Sequence, residues 1–341
     1  MQKKIILTGY GTVARELLKL IHTRTVAIKE KYGVEFMVTG IVGSKGMLYQ
    51  SEGIDLHALL ESGAGSNALF SYSQNFEVPM IEPDFQEDVL IECTPTNVET
   101  GEPGLTYLMK AIDTGMDVVC VSKGALVHSY RDIKKRAEEK GIRLKYSGAT
   151  AAALPTIDIG EYSLSGCTIS RIEGILNGTS NFILTCMYEN NLSFVEALRI
   201  AQEKGIAESN PSLDVKGFDS ACKILLLANS LLGTNYSIND IKISGIEHLT
   251  REDIHNAKMR NRHIKLLARA SKEQGKFILD VTPCELDEEH PLFHVTGTNK
   301  GVLFETIEMG TICTTGGASH PRGAAAAALK DLINLYRKDL Y

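Results

Sequence analysis

At 341 residues the chain is too long for one small core, and about 150 residues per domain predicts two domains. Apolar residues make up 43% and charged residues 23%, the balance of a folded globular chain, and the net charge of -6 comes with no basic block, which excludes nucleic acid as an expected partner. No apolar run approaches the roughly 18 residues of a membrane span, and MQKKIILTGYG enters a strand directly where a signal peptide would carry a longer apolar region, so no membrane is expected and the cytoplasm is the expected location.

In chain order, KKIILTG, FMVTGIVGS, DVLIECTP and DVVCVSK are short β-branched runs separated by helical patterns such as VARELLKLIHT and TYLMKAIDTG, the βαβ rhythm of a parallel sheet. Between Met47 and Val78 the chain is polar and reads as irregular, with one short helix. RDIKKRAEEKG is a charged amphipathic helix, followed by the strand IRLKYSG and then by ATAAALPTI. From about Ser165 the character changes to antiparallel-type strands mixed with longer helices, which predicts a second, α+β domain. PRGAAAAALKDLINLYRK is a terminal amphipathic helix with Leu329, Leu332, Leu335 and Tyr336 at helical spacing. The seven cysteines form no CxxC pair and lie in or beside apolar segments, the pattern of buried reduced thiols, and no metal site is expected.

Gly9-Tyr10-Gly11-Thr12-Val13-Ala14 lies between the strand KKIILT and the helix VARELLKL, the context that a dinucleotide-binding turn requires. Glycines at 9 and 11 let the backbone approach a pyrophosphate, with Thr12 and Val13 at the helix N-terminus and Ala14 as the small packing residue. The second strand ends in Ser44 and Lys45, with no carboxylate to take a ribose 2'-hydroxyl; a hydroxyl and a cation there predict NADP over NAD, against the alternative that Lys45 is a solvated loop residue. Thr94 and Pro95 end one strand and Ser122 and Lys123 end another, at the carboxyl edge where such sheets bind ligands. Lys123 there is either solvated or set to meet a substrate carbonyl or carboxylate.

Asp219 and Lys223 are i and i+4 neighbours on one helical face. The plain alternative is a surface pair worth a few tenths of a kcal/mol. Lys223, however, runs into Ile224-Leu225-Leu226-Leu227, so its ammonium is expected to be partly buried and able to exchange a proton with a substrate oxygen. Glu208 and Asp214 then remain free to hold a substrate ammonium.

The stretch AQEKGIAESNPSLDVKGFDSACK, Ala201 to Lys223, is similar at every defined position to the homoserine dehydrogenase signature. GILNGTSN, HPLFHVTGTNKG and DVVCVSKGALV resemble further segments of that family. The resemblance implies an enzyme that reduces aspartate 4-semialdehyde to homoserine with NAD(P)H, on the route to threonine, methionine and isoleucine. It implies Lys223 and Lys123 as catalytic lysines, with Asp219 orienting Lys223 or the reacting group. Glu208 and Asp214 would bind the substrate amino group, with Asn177, Gly178 and Thr179 lining its pocket. The implied fold is a Rossmann-type domain, residues 1–135 with 311–341, and an α+β substrate and dimerisation domain, residues 136–310, in a homodimer without a regulatory ACT domain.

The chain departs from the family pattern at three places. Ser147 stands where relatives carry a glutamate linked with a monovalent cation, which leaves that cation open. Ser122 replaces an asparagine, and Thr315-Gly316-Gly317-Ala318-Ser319 approximates the family's glycine-rich turn near the cofactor, with Gly317 as its cofactor-binding member. Two other readings fit these departures: a cofactor-binding regulatory relative without turnover, and a dehydrogenase of another small amino or oxo acid.

Overall fold

The computed structural model describes residues 1–317 and 320–337. It divides into two compact units, Met1–Ala149 with His320–Tyr341, and Thr150–Ser319.

In the first unit, seven strands form one sheet: β1 (Gln2–Thr8), β2 (Glu35–Gly43), β3 (Gly46–Tyr49), β4 (Met80–Ile81), β5 (Val89–Glu92), β6 (Asp117–Cys120) and β7 (Leu144–Lys145), in the order β4-β3-β2-β1-β5-β6-β7. The five strands from β2 to β7 pair in parallel, while β3 and β4 run antiparallel at one edge. Ile5, Ile6, Leu7, Val89, Leu90 and Ile91 are fully buried, because helices cover both faces of a parallel sheet and its central strands become continuous apolar runs. The strand order reverses between β1 and β5, and a crevice opens at the carboxyl edge of such a switch point. Five helices belong to this unit's chain order: α1 (Thr12–Tyr32), α2 (Leu56–Glu61), α3 (Gly65–Phe76), α4 (Gly104–Thr114) and α5 (Gly124–Lys140). The terminal helix, Pro321–Tyr336, begins at its proline and presents Leu329, Leu332, Leu335 and Tyr336 to the cluster that holds Leu17, Leu18 and Ile21 of α1.

The stretch from Met47 to Val78, expected to be irregular with one short helix, carries β3 and two helices, α2 and α3, before the edge strand β4. Its strands are short, and although β3 folds back on β2 as a hairpin, β4 pairs with β3 across the two intervening helices, which leaves little periodicity to read. The domain edges also differ. β7 pairs with β6, so residues 136–149 belong to the first unit, and β13 pairs with β12 of the second sheet, so residues 311–317 belong to the second.

The second unit is built on a six-stranded sheet of β8 (Ile169–Ile175), β9 (Ile241–Ile243), β10 (His263–Glu273), β11 (Lys276–Leu286), β12 (Lys300–Thr306) and β13 (Gly310–Gly316). The order is β13-β12-β8-β10-β11-β9, antiparallel except where β9 joins β11. Four helices of two turns or more, α6 (Gly178–Asn190), α7 (Phe194–Glu203), α8 (Phe218–Leu231) and α9 (Arg251–Met259), complete the unit. α8 is apolar over most of its circumference, with Ile224, Leu225, Leu226 and Leu227 at most 1% exposed, and packs on β8, β10 and β11. None of the seven cysteines is disulfide-bonded, but the expectation of burial fails at Cys313, which is exposed on the edge strand β13. No described helix is long and apolar enough to cross a membrane.

Candidate active site

In the first unit the turn after β1 is built as its sequence implies. Gly9 has φ +82°, its N–H donates to the Val42 carbonyl at 2.9 Å, and a Cβ there would lie 2.5 Å from the Cys93 carbonyl oxygen. Only glycine fits so close a backbone approach. Gly11 caps α1 without a side-chain hydrogen bond, and a Cβ on it would meet nothing within 4 Å. The N-terminus of a 21-residue helix is thus left uncapped beside a cavity of about 570 Å³. Free N–H groups and the positive end of the helix dipole suit an anion there, so the residues present fit a dinucleotide phosphate.

Of the residues expected to bind cofactor, Gly9, Gly11, Thr12, Val13, Ser44, Thr94 and Pro95 line this cavity. Lys45 and Ser122 do not. The Lys45 ammonium turns to Asn67 Oδ1 at 3.1 Å and lies over the Phe70 ring, while Ser122 Oγ donates to Glu92 Oε2 at 2.6 Å. Gly317 belongs to the second unit, against the backbone of Ala153 and Leu154, and Ala318 and Ser319 of the same turn lie outside the described residues. Lys123 is half-buried at the N-cap of α5.

Glu92 is the organising residue that sequence reasoning missed. It is fully buried at the end of β5 and accepts from Thr94 N at 2.7 Å, from the Thr94 and Ser122 hydroxyls and from the Cys120 thiol. Its sequence signal is a carboxylate closing an apolar strand, where an unpaired charge would be costly.

The second unit gathers a polar cluster at the junction of β8, α6 and α8. β8 leads through Leu176 to Asn177, which caps α6 by accepting the Ser180 N–H on Oδ1 at 2.8 Å. Asn177 Nδ2 donates to Asp214 Oδ1 at 2.6 Å and to Asp219 Oδ2 at 2.8 Å. The same Asp219 oxygen accepts from Lys223 Nζ at 2.6 Å, and the ammonium also donates to the Leu176 carbonyl at 2.8 Å. Both charged side chains are largely buried, 15% exposed for Lys223 and 12% for Asp219. An ammonium has three N–H bonds, and the third on Lys223 meets no acceptor among the described residues.

The expected Asp219–Lys223 pair therefore exists, and Asn177 extends it. Gly178 and Thr179 are buried in the first turn of α6, with Thr179 Oγ1 on the Ile206 carbonyl. Asp214, expected to be free for a ligand, is tied to Asn177. The Glu208 carboxylate is exposed and makes no hydrogen bond among the described residues, so it stays outside the cluster.

Lys300, at the start of β12, was not foreseen. It is 4% exposed and donates to the Ala151 carbonyl at 3.1 Å. Burial, with the charge of Lys223 adding and that of Asp219 opposing, pushes the Lys300 ammonium down to about 8.

Residues 155–333 match the family model described as homoserine dehydrogenase, and residues 9–147 match homoserine dehydrogenase, NAD binding domain. The homoserine dehydrogenase of Methanocaldococcus jannaschii is 33% identical over 97% of this chain and 98% of its own. The chain belongs to the homoserine dehydrogenase family. The NAD(+)-dependent homoserine dehydrogenase of Pseudomonas canavaninivorans is 31% identical over 98% of this chain and 96% of its own. The crystal structure of a homoserine dehydrogenase from Thiobacillus denitrificans, 27% identical, superposes with a TM-score of 0.83, covering 99% of this chain and 74% of that one. Homoserine dehydrogenases are NAD(P)-dependent oxidoreductases, and this chain has the family's NAD-binding domain in its first unit.

The departure at Ser147 is now visible in its surroundings. Ser147 donates from both N and Oγ to Asp331 of the terminal helix, at 2.8 Å each. Asp331 is fully buried, and Lys330 Nζ lies 2.8 Å from Ser147 Oγ and 3.2 Å from Asp331 Oδ1.

Proposed function

We propose that this member of the homoserine dehydrogenase family interconverts aspartate 4-semialdehyde and homoserine with NAD(P)H, in the route to threonine, methionine and isoleucine. The observation that carries the reading is the Lys223 ammonium, fixed by Asp219 and the Leu176 carbonyl with one N–H left for a ligand oxygen. Nicotinamide, when bound, supplies the hydride to the aldehyde carbon. Lys223 donates its third N–H to the carbonyl oxygen and gives up a proton as that oxygen becomes a hydroxyl. Asp219 keeps the ammonium aimed, and Asn177 holds Asp219 and Asp214 in place. Lys123 is assigned as the second catalytic lysine, and Gly178, Thr179, Glu208 and Asp214 as substrate-binding residues, on the strength of the family resemblance.

The first unit is assigned to the dinucleotide and the second to substrate, catalysis and assembly as a homodimer in the cytoplasm. NADP is proposed over NAD. None of the side chains lining the first unit's cavity is acidic, and Ser44 with the exposed Lys45 ends β2, where an NAD-selective site would place a carboxylate. Gly317 and Ser122 are assigned to the cofactor side by resemblance.

Purified protein is expected to oxidise NADPH in the presence of aspartate semialdehyde. Lys223→Ala should lower kcat by roughly 10²- to 10⁴-fold, the usual contribution of a positioned acid, with cofactor affinity unchanged. Parental turnover in Lys223→Ala would remove this lysine from the mechanism. For the cofactor, the ratio of kcat/KM with NADPH to that with NADH should exceed one in the parent and fall in Lys45→Ala; equal use of both by the parent would defeat the assignment.

A further inference from the structure

Asn181 is 1% exposed in the first turn of α6, four residues after Asn177, and its amide faces the loop that leads into β12. Nδ2 lies within hydrogen-bond distance of three backbone carbonyls of that loop, Val295 at 3.2 Å and Gly297 and Asn299 at 3.1 Å each. An amide nitrogen carries two hydrogens, so three acceptors share them. Rotated by half a turn, the amide would set its oxygen against all three carbonyl oxygens, which fixes its orientation. Oδ1 is left buried with no hydrogen bond among the described residues. As packing alone this is costly, and a leucine of similar volume would fill the space without an unpaired polar atom.

One turn further along α6, Thr185 Oγ1 donates to the Asn181 carbonyl at 2.7 Å and accepts the Gly297 N–H at 3.1 Å. The Lys265 ammonium, from β10, donates to the Val295 carbonyl at 2.6 Å. Residues 295–299 are thus moored to α6 through their carbonyls and an N–H together. The moored turn is the one that organises the polar cluster. The Asn177 carbonyl accepts the Asn181 N–H at 3.3 Å, the Asn177 amide reaches Asp214 and Asp219, and Asp219 holds Lys223. A shift of this turn moves Asn177 against Asp219.

We propose that Asn181 is a positioning residue for Lys223: it anchors the first turn of α6 to the loop before β12, which fixes Asn177 and, through it, Asp219. The proposal rests on the function proposed above, in which Lys223 gives a proton to the substrate oxygen.

The test is a double-mutant cycle on the full chain, reading kcat and KM with NADPH and aspartate semialdehyde. Asn181→Leu, which keeps the volume and loses the amide, should lower kcat by roughly tenfold to a hundredfold, the scale of a slightly misplaced reacting group, with KM for NADPH unchanged. In a Lys223→Ala background the same substitution should lower kcat by less than about twofold, since no aimed ammonium remains, because effects transmitted through one group are not additive. An equal fold-loss in both backgrounds would leave Asn181 a structural residue and overturn the proposal, as would parental kcat in Asn181→Leu. Should Asn181→Leu fail to fold, Thr185→Val, which removes one of the loop's anchors and keeps the shape, passes through the same cycle with the same criteria. A second readout does not depend on turnover: reductive methylation with formaldehyde, followed by peptide mass spectrometry, should label Lys223 severalfold faster in Asn181→Leu than in the parent, relative to the exposed Lys134. An unchanged labelling rate overturns the proposal whatever the substrate. A parent that never reduces aspartate semialdehyde, while Asn181→Leu exposes Lys223 to labelling, defeats the functional reading and leaves the anchoring of Lys223 standing.

Discussion

Asn177 caps a helix with its oxygen and joins two carboxylates with its nitrogen, and the two acids lie 37 and 42 residues along the chain. No local spacing announces such a residue; only the family resemblance marked it. The Asp219–Lys223 pair, by contrast, was legible because i and i+4 side chains meet on any helix. Ser147 donates twice to a buried carboxylate. Burial lifts the Asp331 carboxyl above the usual range, and the Lys330 charge and the two Ser147 hydrogen bonds oppose that rise. Restoring the family's acid by Ser147→Glu would remove a donor and set a second carboxylate beside the first. It is expected to destabilise the protein by about 1–3 kcal/mol, seen as a lower urea midpoint by circular dichroism. A midpoint at or above the parent's would show that Asp331 does not depend on the hydroxyl.

At the scale of elements, the segments with strong periodicity were readable. β1, α1 and the terminal helix fall where their apolar patterns place them, since a face that must be buried writes itself into the spacing. The region of β3, α2, α3 and β4 was not readable, because two- and four-residue strands gain their identity from partners elsewhere in the sheet. The same holds for charges inside apolar elements. Glu92 closes β5, Lys300 opens β12 and Asp331 lies on the buried side of the terminal helix, each made tolerable by contacts that only the tertiary fold supplies. Lys45 and Asp214 show the converse: their positions were legible, while the neighbours they contact, Asn67 and Asn177, were not.

For the whole molecule, three buried bases contribute to the response to pH. Burial lowers Lys265 to about 8, as it does Lys300, and burial with the charges of Lys265, His294 and Lys258 lowers His263 to about 4. Unfolded lysine and histidine titrate near 10.4 and 6.5. Between about pH 8 and 10 the unfolded chain holds protons on Lys265 and Lys300 that the folded chain has released, so these two groups make stability rise with pH across that window. Between about pH 6.5 and 4 the unfolded chain protonates His263 first, so its contribution falls on acidification. Denaturation followed by circular dichroism, which suits a chain without tryptophan, should show both limbs, with the alkaline one flattened in Lys265→Met. An alkaline limb as steep in Lys265→Met as in the parent would assign that rise to other groups.

The terminal helix also bears on how the protein is made. It completes the core of the first unit, yet roughly 170 residues of the second unit separate it from the rest of that core. A ribosome adding about 5–20 residues per second takes on the order of 10 to 30 s to cross that interval. Throughout it, the face of α1 that will meet Leu332 and Leu335 stands uncovered on the nascent chain, so the first unit to be translated is the last to close.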